Sequence, residues 1–131
     1  MVSPEDAEVN AAINQARQAL PAFWSEFEHP RPNESDFGLK LEIRDGDQVE
    51  HFWMTNIERR AGRISGVVSN DPEFVHNVKL GDRLPIPEKD ISDWEYTRDG
   101  KLVGAYTTRV LVKRAPNSDE VRHVKQMLGE P

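Results

Sequence analysis

The chain has 131 residues, 37% hydrophobic and 31% charged, a globular rather than disordered balance that fits one domain over 1–131. It has no cysteine, which rules out disulfides, thiolate zinc sites and a cysteine nucleophile. A net charge of -6 repels polyanions, so nucleic acid is not an expected partner, and the short basic cluster Arg59, Arg60 and Arg63 reads as a solvated turn.

Met1 to Asp6 is acidic and polar, with no basic stretch leading into an apolar one, and no run of apolar residues is long enough to span a membrane. The expected location is the cytoplasm. Ser3-Pro4-Glu5-Asp6 reads as a helix start, with Ser3 as cap and proline where its missing N–H costs little. Val9, Ile13, Ala16, Leu20, Phe23 and Phe27 then draw one apolar stripe at helical spacing. Pro21 interrupts it, which predicts a break or kink and a second short helix from Pro21 to Glu28.

After the linker His29 to Ser35 the period changes to two. Phe37, Leu39, Leu41 and Ile43 alternate with Gly38, Lys40, Glu42 and Arg44, which describes a strand with one buried and one wet face. Asp45-Gly46 supplies a turn with positive φ, and Val49 to Thr55 returns as the partner strand. Ile64 to Ser69 is a third strand, stopped by Asn70-Asp71-Pro72. Asp71-Pro72-Glu73 is expected to cap one or two helical turns through Val78, and the following segment to Ile86 reads as extended chain that Pro85 and Pro87 confine to an edge.

Ile91 to Thr97 is a further strand, and Asp99-Gly100 turns it toward Leu102 to Val112. That last segment fits either a strand, by the β-branched Thr107, Thr108, Val110 and Val112, or a helix with Val103, Tyr106, Val110 and Leu111 on one face; the reading leans to strand. A C-terminal helix over about 118–128 opens at Asn117-Ser118-Asp119-Glu120 and ends near Gly129. The order predicts an α+β fold: an N-terminal helix, a curved antiparallel sheet of about five strands and a C-terminal helix.

No nucleophile elbow, phosphate loop or dinucleotide fingerprint is present, and His29, His51, His76 and His123 lack metal-ligand spacing, so neither metal nor cofactor is expected. Glu50 and His51, adjacent on a strand, point to opposite faces. Asp90 and Asp93 read as surface acids on a strand edge. The aromatic residues Phe52, Trp53, Trp94, Tyr96 and Tyr106 read first as core, and Trp94 and Tyr96 share parity. Next to Asp93 and His51 they also have the character of a recognition surface.

Ala16 to Phe23, Glu50-His51-Phe52-Trp53, Gly66-Val67-Val68-Ser69-Asn70-Asp71-Pro72, Gly81-Asp82, Ile91-Ser92-Asp93-Trp94 and Gly104-Ala105-Tyr106-Thr107-Thr108-Arg109, taken in order, resemble the YegJ-like bacterial family, catalogued as domain of unknown function 2314. The resemblance covers residues 9–113. It implies a bacterial setting and supplies no activity, substrate or catalytic residue to carry over. Gly81-Asp82 followed by Asp93-Trp94 is also similar to small immunity-type domains of bacterial toxin systems, which implies an acidic protein that meets a basic protein partner.

Two functions follow. The leading one is a non-catalytic module that binds a protein or small ligand through His51, Trp53, Asp93, Trp94, Tyr106 and Arg109. The alternative is a small hydrolase or lyase with His51 and Asp93 as acid and base and Arg109 holding an anionic substrate.

Overall fold

The structure, a computed structural model, describes residues 4–131, with side chains from residue 7 onward; the cap expected at Ser3 lies outside them. The described residues form an α+β fold of four α-helices and six strands of antiparallel sheet: α1 Pro4–Gln18, α2 Leu20–Glu28, β1 Glu34–Asp45, β2 Gln48–Arg60, β3 Arg63–Val68, β4 Arg83–Pro85, β5 Ile91–Arg98, β6 Lys101–Gly104, α3 Tyr106–Arg114 and α4 Asp119–Met127. A single 3-10 turn, Glu88–Asp90, precedes β5. No described helix is long and apolar enough to cross a membrane. The chain divides into two compact units, one of residues up to Asp36 together with Asp93–Pro131, the other Phe37–Ser92.

The Phe37–Ser92 unit is built on hairpins whose turns are local. β1 and β2 pair with Asp45 opposite Gln48, leaving Gly46 and Asp47 as the turn, and Gly46 has a φ of 59°. β2 and β3 pair with Arg60 opposite Arg63 around Ala61-Gly62, both at positive φ, the geometry that matches strand twist in a two-residue turn. β4 completes the order β4-β3-β2-β1 as a three-residue edge. This strand makes six where about five were expected. Leu39 faces Met54, Leu41 faces Phe52 and Met54 faces Val68, so these buried residues share one side of the sheet.

Residues 70–82 depart from the expected helical turns. The chain there is irregular, because the amides of Glu73, Phe74 and Val75 donate to the Glu50 carboxylate and that of His76 to Asp45 Oδ2. Carboxylates on the β1–β2 hairpin thus take donors that a helix would direct along its own axis. Val75 and Val78 are buried and anchor the loop, while Phe74 and Leu80 stand 55% and 53% exposed.

In the other unit, the break at Pro21 separates α1 from α2 at Ala19, as the proline's missing N–H requires. The carbonyl of Ala16, in the last turn of α1, accepts from Trp94 Nε1 at 2.9 Å. Trp94 lies at the centre of an aromatic cluster, with ring centroids 5.6 Å from Phe23, 5.9 Å from Tyr96 and 5.7 Å from Tyr106. Each such pair contributes roughly 0.5–1.5 kcal/mol beyond its buried area. The start of β1 is clamped to β5 by Glu34, buried, which accepts from Arg98 Nε at 2.9 Å and pairs with Nη2 at 2.8 Å.

β5 and β6 join through Asp99-Gly100, both at positive φ, as the sequence predicts. The segment after it does not continue as a strand. β6 ends at Gly104, and residues 106–114 form α3, so the preference for strand over 102–112 is corrected. Gly104 and Ala105 both adopt left-handed backbone, φ 82° and 54°, which turns the chain out of the sheet. A Cβ on Gly104 would lie 2.6 Å from the Trp94 ring and from the Trp94 carbonyl, so this position accepts only glycine. The chain end returns to β6: Leu128 bridges Leu102 in parallel, the Gly129 amide donates to Leu102 O, and the Gly104 amide to Glu130 O.

Candidate functional site

The six residues singled out from the sequence fall into two groups, one in each unit. Asp93, Trp94, Tyr106 and Arg109 come together at the junction of β5, β6 and α3. Asp93 has no exposed surface, so the reading of it as a surface acid is corrected. Its Oδ1 accepts from the amides of Trp94 at 2.8 Å and Tyr106 at 3.1 Å, and its Oδ2 from the Thr107 amide at 2.8 Å and the Thr107 hydroxyl at 2.6 Å. No local residue caps α3, since its N-cap Ala105 has no side-chain acceptor; Asp93 does this from another element. Burial pushes the Asp93 pKa up, against the lowering effect of these hydrogen bonds.

Trp94 is 2% exposed, which removes it from any recognition surface. Tyr106 is half-buried against it. Arg109, expected to hold an anion, donates to the carbonyls of Gly104 at 2.9 Å, Leu102 at 3.4 Å and Glu130 at 2.6 Å, tying α3 to β6 and the chain end. Desolvation pulls its pKa down. This group therefore acts as a polar joint. Thr107 is the member that sequence reasoning missed: the left-handed backbone at Ala105 and the cap from Asp93 leave no local mark in the sequence.

His51 and Trp53 lie on β2 in the other unit and, being two residues apart, share a face. Their direct cross-strand neighbours on β1 are Glu42 and Lys40, and Val49 faces Arg44. His51 is exposed and its Nδ1 lies 3.0 Å from Ser92 Oγ. Trp53 is half-exposed, with Lys40 Nζ 5.6 Å from its ring centroid, and Glu42 pairs with Arg44 at 2.7 Å. The backbone of Trp53 is fixed on both sides: its amide donates to Asn70 Oδ1 at 2.9 Å and its carbonyl accepts from the Ser69 amide at 2.9 Å. Trp53 is therefore a half-exposed aromatic ring on a strand whose backbone is hydrogen-bonded on both sides, with Lys40 and His51 beside it. Among the described residues no group of three or more His, Asp or Glu side chains is placed to hold a metal ion.

A family described as "Uncharacterized protein conserved in bacteria (DUF2314)" matches residues 6–129. The uncharacterized protein YegJ of Escherichia coli is 40% identical over 114 residues, which are 85% of this chain and 72% of that protein. A putative ankyrin repeat protein of Neisseria meningitidis serogroup B is 29% identical over 130 residues, 93% of this chain and 51% of that protein. No solved structure matches.

Proposed function

Because this chain belongs to the bacterial family DUF2314, and membership brings no reaction with it, we propose from its own residues that it is a non-catalytic module whose wet β1–β2 face binds another protein. The observation that carries this reading is the half-exposed Trp53, held by backbone hydrogen bonds on both sides and flanked by Lys40, Glu42 and His51. Tryptophan supplies large contact area with little conformational freedom to lose, and a fixed backbone lowers the cost of binding further. The net charge of -6 favours rapid encounter with a basic protein. The acid–base alternative has less support, because both carboxylate oxygens of Asp93 are engaged by internal donors and shielded from solvent.

The test is affinity capture of the tagged chain from bacterial lysate, comparing wild type with Trp53→Ala and His51→Ala. A stoichiometric protein held by wild type and lost from a folded Trp53→Ala chain is the expected result. Equal recovery with wild type and both variants, or no protein recovered with wild type, would refute the reading. Because Trp53 faces away from the buried residues of β2, its removal is expected to cost about 1 kcal/mol or less in a urea melt.

A further inference from the structure

The Arg60–Arg63 hairpin, farther along β2 than Trp53, carries a second site. Arg60 and Arg63 are directly opposite each other in the β2–β3 ladder, so they project to the same side. Like charges in that position destabilise a hairpin, and the turn itself needs only the left-handed Ala61 and Gly62 between them. A third guanidinium lines the same cleft. Arg83 of β4 donates Nη1 to Ser65 Oγ and Nη2 to Asn56 O, each at 3.0 Å, with Glu58 Oε2 3.8 Å away. Arg60, Arg63, Arg83 and Glu58 line a cleft of about 420 Å³ whose apolar wall is Ile64, Leu84 and Pro85. Three cations against one carboxylate leave two positive charges there, in a chain whose net charge is -6.

We propose that this cleft binds a small phosphate monoester, its dianionic head among Arg60, Arg63 and Arg83 and its apolar body against Leu84 and Pro85. The planar fork of a guanidinium matches phosphate oxygens in geometry as well as charge. The head neutralises the two excess charges and relieves the repulsion built into the hairpin. The cleft has the volume of a small-molecule site, and its apolar wall distinguishes an ester from the free ion.

The probe is phenyl phosphate, titrated into the isotope-labelled full chain at constant ionic strength and followed by amide chemical shifts. Saturable shifts are expected at Arg60, Arg63, Ser65 and Leu84, weaker with inorganic phosphate. The R60Q/R63Q chain is expected to bind at least about tenfold more weakly, the loss of one or more charge-assisted hydrogen bonds. Its melting temperature in the absence of ligand should equal or exceed that of wild type, since a like-charge pair is removed, and Arg63→Gln alone serves as the milder variant. Shifts that sodium chloride reproduces at equal ionic strength, or that persist unchanged in both variants, would overturn the assignment.

Discussion

Each unit holds one carboxylate that gathers backbone N–H groups from a segment distant in sequence, and the two behave in opposite ways. Glu50 accepts from Glu73, Phe74 and Val75; Asp93 accepts from Trp94, Tyr106 and Thr107 and from the Thr107 hydroxyl. Burial works to raise both pKa values. At Glu50, close to solvent, the amide hydrogen bonds outweigh it and the pKa falls below the ordinary glutamate value. At Asp93, with no exposed surface, desolvation outweighs more donors than Glu50 has, and the pKa rises. Hydration, and not the number of hydrogen bonds, sets the sign. The same local chemistry therefore makes a surface latch in one place and a buried joint in the other.

The largest expected effect is at the joint. Asp93→Ala leaves the Tyr106 and Thr107 donors in the interior without their acceptor, a loss of about 3–5 kcal/mol in urea unfolding. A loss below about 1 kcal/mol would mean that α3 starts without help from Asp93. Gly104→Ala comes next, at about 2–4 kcal/mol, from the left-handed φ and the collision with Trp94. Near-ultraviolet circular dichroism should report the displaced Trp94 ring, and an unaltered spectrum would contradict the close packing.

The latch should respond to pH and to Glu50→Gln without loss of the fold. Its folded pKa is depressed, so its stabilisation is present above the unfolded pKa and is lost as pH falls through the folded one. For Asp93 the sign reverses: the folded pKa is raised, so its contribution is complete below the unfolded pKa and is lost as pH rises through the folded value. Hydrogen exchange separates the two. In Glu50→Gln, and in wild type at acid pH, the amides of Glu73, Phe74 and Val75 should exchange faster while those of Tyr106 and Thr107 keep their protection. Equal acceleration at both sets would show that the two carboxylates are not independent.

Much of the fold was legible because its determinants are local. Asp45-Gly46 and Asp99-Gly100 mark hairpins by the backbone freedom of glycine, Pro21 breaks the first helix by lacking an N–H, and Ser118 caps α4 by accepting from the Val121 amide. Parity along β2 likewise places His51 and Trp53 on one face. Other features depend on partners remote in the chain. Residues 106–114 favour a strand by composition, yet become a helix because Asp93, thirteen residues before Tyr106, supplies the cap. Residues 73–75 resemble a helix start, yet Glu50 takes their amides. Trp53 and Trp94 are both tryptophans on strands, and packing separates them: Trp94 reaches the Ala16 carbonyl at the end of a broken helix and is enclosed by aromatic rings, while Trp53 stays half in solvent. The sequence by itself determined where the chain turns, since a turn depends on the φ of one or two residues. The tertiary structure alone decided which acids are buried and which tryptophan is available to a partner, since desolvation depends on every element that packs around the group.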